Sequence, residues 1–433
     1  MAEQDSPIYA LVLSGGGARG AYEAGVIYYV RTELAKAIGD QPRFRIYCGT
    51  SVGAINAAHM AATEHDPLFQ GARLRKLWEE LTAEDIYYAD KRALTGFLVK
   101  SGFFMATNFF GLQRPLEKWD PNATFPFRSV LDTTPFLTYM RRNVSFAQIH
   151  RNIQRRLVDA VSVSASHLHT GKLALFVEKH PEVAYSAGGG VPIFCTLSPR
   201  HVLASASIPI IFPMIRISRR YYGDGGMRQN TPMSPAIHLG ADRLLVISLR
   251  ADHTALDPQP PPGRDLEAEP RFSNVIGHLL NTVFLDKLDY DLDQMRRINY
   301  LIQDFEEEFG PGVLERINAR RQRKFIGDRP VPGAKCVVPF VITPSENIGR
   351  IAAHIFNRVV RNGHTLNPMH RFFSNIAQAE GDNDFMSYLL FEPEYLKALV
   401  QLGFEDARRE HDRLVNFFTN RPLDCPPQSL PEG

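Results

Sequence analysis

Three glycine-bracketed segments hold residue types that could do chemistry. The first is Gly49-Thr50-Ser51-Val52-Gly53, a GxSxG pattern. On a sharp strand-to-helix turn, such a serine is lifted out of the sheet and becomes a nucleophile, with flanking glycines permitting the backbone and the close packing. The bland alternative is a glycine-rich turn in which Ser51 caps a helix. The second segment, Gly15-Gly16-Gly17-Ala18-Arg19-Gly20, offers consecutive backbone N–H groups and a helix N-terminus, both suited to an anion. Beside an acylated serine, it would be an oxyanion hole. The third is Tyr222-Gly223-Asp224-Gly225-Gly226, which presents a carboxylate between glycines. Taken alone, an Asp-Gly pair is most often a β-turn.

The elements around these segments suit the first two readings. Residues 8–14 are a short apolar run rich in β-formers, and residues 44–48 give a second strand. Helices are expected from Arg19 to Ile38 and from Val52 to Thr63, so both glycine loops lie at strand-to-helix junctions. Alanines 54, 57, 58 and 61 let the second helix lie close to its neighbours. Further strands are expected at 159–165, 173–177, 191–196, 214–217 and 243–249. Alternating strands and helices predict an α/β fold with a largely parallel sheet.

The GxGxxG spacing of the second segment also fits a dinucleotide loop. That reading requires an acidic residue at the end of the next strand to hold the ribose. Here that strand runs into Cys48-Gly49-Thr50-Ser51, and no Gly-Lys-Ser/Thr phosphate loop occurs. An oxyanion hole is the better reading, and no cofactor is expected. Arg19 could meet an anionic head group or lie in solvent.

A net charge of only +2 gives no general pull toward nucleic acid or an anionic membrane. Cys48, Cys195, Cys336 and Cys425 are too few and too scattered for a disulfide scaffold or a zinc site, so no metal is expected. The polar, acidic start does not look like a secretory signal, and no apolar run reaches membrane-spanning length. The composition therefore suggests a reduced, cytoplasmic chain with at most peripheral membrane contact.

Residues 83–131 are irregular and rich in aromatics, among them Phe97, Phe103, Phe104 and Trp119, interleaved with Lys91, Arg92, Lys100 and Arg114. They suit a lid or a docking surface for anionic lipid, or simply a packed insertion. Residues 257–270 are proline-rich and read as a linker. Beyond it, residues 271–420 turn helical.

Taken together and in this order, GGGARG, GTSVG and GDGG resemble the patatin-like phospholipase family. SVLDTTPF at 129–136, HVLASASIPIIFP at 201–213, Asn230-Thr231-Pro232 and ADRLLVISL at 241–249 are also similar to family segments. The resemblance covers about residues 8–250, with a weaker likeness at 387–407. It implies a three-layer α/β/α sandwich carrying a C-terminal α-helical unit, and a lipid or phospholipid substrate. It also implies a Ser-Asp dyad: Ser51 as nucleophile and Asp224 as proton acceptor, with Gly15, Gly16, Gly17 and Ala18 as oxyanion hole. Arg19, Gly20, Gly49, Gly53, Gly225 and Gly226 support the motifs. A Ser-His-Asp triad would need His238 or His253, and neither lies in a motif. The Ser218-Arg219-Arg220 turn lacks the family's usual glycine. A regulated effector with the same chemistry, or a non-catalytic scaffold, are the rival functions, and oligomeric state is not legible.

Overall fold

The computed structural model describes residues 7–89, 131–186, 190–209, 211–250, 288–310, 312–321, 325–326, 329–330, 333–361 and 384–419. The proline-rich stretch and most of the aromatic insertion, residues 90–130, lie outside the described residues, so the lid and linker readings are not addressed by the fold.

A nine-stranded sheet forms the centre. Its strands are β1 (Tyr9–Leu13), β2 (Ile46–Thr50), β3 (Ala160–His167), β4 (Lys172–Lys179), β5 (Val191–Phe194), β6 (Ile215–Ile217), β7 (Arg220–Asp224), β8 (Arg243–Ile247) and β9 (Val338–Ile342). The order β9-β8-β1-β2-β3 is parallel throughout, and β4 then pairs antiparallel with β3. Every residue of β1 after Tyr9, and all of β2 and β8, are buried. This is the burial expected of strands covered on both faces. β2 runs two residues beyond the expected strand, because Gly49 and Thr50 still pair with Leu13 and Ser164.

The helices used below are α1 (Gly20–Tyr29), α2 (Val52–Thr63), α3 (Pro67–Glu79), α4 (Thr134–Asn143), α5 (Pro199–Ser205), α6 (Asp384–Leu389) and α7 (Pro393–Arg409). The expected helix from Arg19 begins as a 3-10 turn at Gly17–Arg19 and passes through a π-helical turn at Val30–Leu34. In that turn Arg31 is buried, paired with Glu64 at 2.7 Å and hydrogen-bonded to the Pro42 carbonyl. Tyr47 and Gln70 also donate to that Glu64 carboxylate, so several hydrogen bonds offset the cost of burying the pair.

The C-terminal region is helical, as expected, and it is also woven into the sheet through β9. Helix α7 crosses α1 where two glycines meet backbone. A β-carbon at Gly25 would lie 2.0 Å from the Val400 carbonyl oxygen, and one at Gly403 would lie 2.1 Å from that of Tyr22. Tyr22 donates its hydroxyl to Asp406 across the same crossing. Cys48 and Cys195 are free, but Cys336 is disulfide-bonded, contrary to the expectation of a fully reduced chain. Sequence spacing carries no information on which cysteines meet in space.

Replacing Gly403 with valine should force the two helices apart and cost about 3 kcal/mol of stability. Chemical denaturation would detect this as a lower midpoint in a single transition, and an unchanged midpoint would show that the C-terminal helix is not tightly docked.

Candidate active site

The site arises where two strands share one edge of β3. Strand β2 pairs with β3 from Ile46↔Ala160 to Thr50↔Ser164 and then stops. From the next residue, β7 takes over, with Ala165 opposite Asp224. Since β4 occupies the other edge along the full length of β3, β2 and β7 abut the same side. The residue after Thr50 and the last residue of β7 therefore meet. Ser51 Oγ donates to Asp224 Oδ2 at 2.7 Å, and both residues are buried.

Ser51 adopts φ 53° and ψ −122°, outside the regions L-residues favour. The turn is held from several sides. A β-carbon at Gly53 would be 2.4 Å from the Leu13 carbonyl oxygen, so only glycine lets the elbow sit against β1. The Ser51 N–H donates to Ser205 Oγ at 2.8 Å, and that hydroxyl donates to the Ser164 carbonyl. Two residues on, the Ser207 carbonyl accepts the Asp224 N–H at 2.8 Å, while Ser166 Oγ donates to the Asp224 carbonyl. The Ala204-Ser205-Ala206-Ser207 stretch therefore grips both members of the pair.

Asp224 Oδ1 accepts the Gly226 N–H at 2.7 Å. Burial nevertheless pushes its carboxyl up to about 7, with the Ser51 and Gly226 hydrogen bonds only partly offsetting that cost. The hairpin that delivers it, β6–β7, turns through Ser218 and Arg219, both with positive φ (47° and 66°). A type of turn that normally takes glycine is thus built from two ordinary residues at some backbone cost, and the pairing survives.

The glycine-rich loop lies alongside. The Gly15 N–H donates to the Asn230 carbonyl at 3.2 Å, so this amide is engaged within the protein. A β-carbon on Gly15 would come 3.1 Å from Ser51 Cβ, which shows how near the loop runs. Neighbouring carbonyls fasten the rest. Thr50 Oγ1 donates to the Gln229 carbonyl, and Ser14 Oγ shares a 2.7 Å hydrogen bond with Thr231 Oγ1. Ser14 N–H donates to the buried Glu23, which also receives a hydrogen bond from Asn56, itself bonded to Trp78 Nε1. Burial pushes the Glu23 carboxyl well above the usual carboxylate range.

Arg19 is neither solvated nor free for a head group. It is buried, donates to Ser387 Oγ at 2.7 Å and stacks on Tyr388, with the guanidinium 4.0 Å from the ring centroid. This contact brings α6 against the loop, where Gly17 leaves room for the Tyr388 carbonyl. The contact is separated by 368 residues in sequence, so no local signal could reveal it. A cavity is lined by Ser51 and Gly17 together with Leu74, Leu77, Trp78, Phe136 and Met140, among others. Its walls are largely apolar, as a site for a hydrocarbon chain requires.

Among the described residues no histidine joins the pair. His238 bonds to Ser186 through Nδ1 at 2.9 Å, and His253 lies outside the described residues. The cavity contains His59, which stands eight residues from Ser51 on α2, about 12 Å along the helix at 1.5 Å per residue. Among the described residues no cluster of three metal-ligating side chains occurs, and no helix is long and apolar enough to cross a membrane.

A carboxyl with a raised folded-state pKa holds its proton longer than in the unfolded chain. Stability should therefore fall as pH rises from about 4 to about 7. Asp224→Asn should be more stable than wild type at pH 8, by about 2–4 kcal/mol, with the gap closing toward pH 4. Thermal unfolding at both pH values would check this, and a pH-independent difference would contradict it. Ser205→Ala leaves the Ser51 N–H buried without its acceptor, and should lower stability by about 1–3 kcal/mol in the same assay.

The family model "Patatin-like phospholipase" matches residues 11–237, and no curated protein matches. Among solved structures, VipD from Legionella pneumophila aligns at 12% identity and a TM-score of 0.33, covering 94% of this chain and 67% of its own. Human GIVD cytosolic phospholipase A2, in complex with methyl gamma-linolenyl fluorophosphonate, aligns at 12% identity and a TM-score of 0.37, covering 97% of this chain and 60% of its own. The family match spans more than half of the 433 residues and takes in the glycine loop, Ser51 and Asp224. The chain belongs to the patatin-like phospholipase family, a family of lipid acyl hydrolases.

Proposed function

We propose that the protein cleaves a fatty-acyl ester of a phospholipid or related lipid through a Ser51–Asp224 dyad. The observation that carries this reading is the 2.7 Å hydrogen bond between Ser51 Oγ and Asp224 Oδ2, with Ser51 lining an apolar cavity. In the first step, Ser51 Oγ attacks the ester carbonyl carbon and its proton passes to Asp224. The carbonyl oxygen becomes an oxyanion, for which the Gly16, Gly17 and Ala18 amides are the proposed donors; Gly15 acts instead by keeping the loop close. Collapse breaks the bond to the alcohol, which leaves with the proton from Asp224, and the acyl group stays on Ser51. Water then attacks this acyl-enzyme, gives its proton to Asp224, and releases the fatty acid as Ser51 regains a proton.

A carboxyl with a pKa of about 7 is better matched to this task than an ordinary aspartate. The desolvation that raises it is thus part of the proposed mechanism. Peripheral membrane contact is proposed from the sequence alone. Regulation through the C-terminal region draws support from one contact, that of Tyr388 against Gly17 and Arg19.

Release of fatty acid from phosphatidylcholine vesicles by wild type, Ser51→Ala and Asp224→Asn tests the reading. Each variant should lose at least about 10³-fold in kcat. Retention of activity by Ser51→Ala would refute it.

A further inference from the structure

One side chain in the cavity is out of character with the rest. His59 lies on the stripe of α2 that faces the cavity, together with Val52, Ile55 and Asn56. It is only 3% exposed, yet neither ring nitrogen has a hydrogen-bond partner among the described residues. Asn56 and Tyr139, also in the wall, are engaged within the protein. Asn56 bonds to Glu23, Gly20 and Trp78, and the Tyr139 hydroxyl donates to the Leu77 carbonyl. Burial, with a smaller effect from Arg73, pushes His59 down to about 4, so the ring is neutral near pH 7. A neutral imidazole carries one N–H donor and one bare acceptor nitrogen. Leaving both unmet in an apolar surrounding is costly.

We propose that His59 is a specificity residue that binds a hydroxyl group on the substrate's acyl chain. The inference rests on the acyl-hydrolase reading of the cavity. A hydroxyl both donates and accepts, as the imidazole does, whereas a ketone or ether oxygen can only accept. The helix sets the distance. Eight residues at about 1.5 Å each separate Ser51 from His59 by about 12 Å. With C–C bonds of about 1.5 Å in a zigzag, an extended chain covers that span in roughly eight to ten carbons. The preferred substrate therefore carries its hydroxyl roughly eight to ten carbons from the ester carbonyl, in an otherwise hydrocarbon chain.

Competition binding on the Ser51→Ala protein tests this without turnover. A fluorescent acyl ester occupies the cavity and is displaced by methyl stearate or by its monohydroxy isomers substituted at carbons 4, 8, 9, 10 and 12. One of the mid-chain isomers should bind about tenfold more tightly than methyl stearate, the worth of roughly one net hydrogen bond. The 4-hydroxy isomer should gain nothing. Adding His59→Leu should abolish the preference, and His59→Gln, which keeps a donor and an acceptor, should retain part of it. Equal binding of all isomers would overturn the proposal, because the imidazole would then be serving water or nothing. A preference that survives His59→Leu would overturn it too. Loss of vesicle hydrolysis by wild type would instead count against the dyad reading, so the two failures are distinguishable.

Discussion

The structure depends on a handover at one edge of β3. Strand β2 ends at Thr50, paired with Ser164, and β7 begins its pairing one residue later with Asp224 opposite Ala165. Two chain segments 173 residues apart are thereby fixed to adjacent positions on a single rigid strand. No flexible arm has to bring the carboxylate to the serine. The backbone strain at Ser51 is tolerated because this edge, the β1 carbonyls beneath Gly53 and the Ser205 hydroxyl all oppose relaxation. Sites built on strands hold their geometry more tightly than sites built on loops.

Burial does the rest, and its cost and use are the same quantity. Enclosing Asp224 removes the water that would stabilise its charge, and this raises its affinity for a proton to a level useful near neutral pH. The same enclosure applies to the glycine-rich loop. Its neighbours are fixed by a buried chain of hydrogen bonds running from Ser14 through Glu23 and Asn56 to Trp78. Trp78 and Asn56 also line the cavity, so the scaffold of the loop and the wall of the cavity are one structure. Through Arg19 and Tyr388, the C-terminal region belongs to that structure as well.

How much of this was legible in the sequence follows from the range of each interaction. The elbow was readable at Gly49-Thr50-Ser51-Val52-Gly53 because strand, turn and helix are contiguous there. Asp224 was legible only through the family resemblance, since Asp-Gly read locally is a turn and only the pairing of β7 with β3 brings it to Ser51. The strand itself, Arg220–Asp224, escaped notice because it is short and ends in glycine and aspartate, both poor strand formers. Ser205 and Ser207 stood in a family-like segment without any role, as hydroxyl–backbone bonds across the fold leave no periodic trace. Strand β9 was hidden in a region whose pattern is mainly helical. Arg19 read as either a head-group contact or a solvated side chain because nothing near it in sequence announces Ser387 or Tyr388.

The central claim is that Asp224 is the group that takes the proton from Ser51. The rate at which a fluorophosphonate labels Ser51, followed from pH 5 to pH 9, tests it most directly, since labelling needs the activated serine and no lipid surface. The rate should rise about tenfold per pH unit up to about pH 7 and then level, while Asp224→Asn should label slowly and without that rise. A wild-type profile flat across this range, or an Asp224→Asn protein labelled as fast as wild type, would contradict the account.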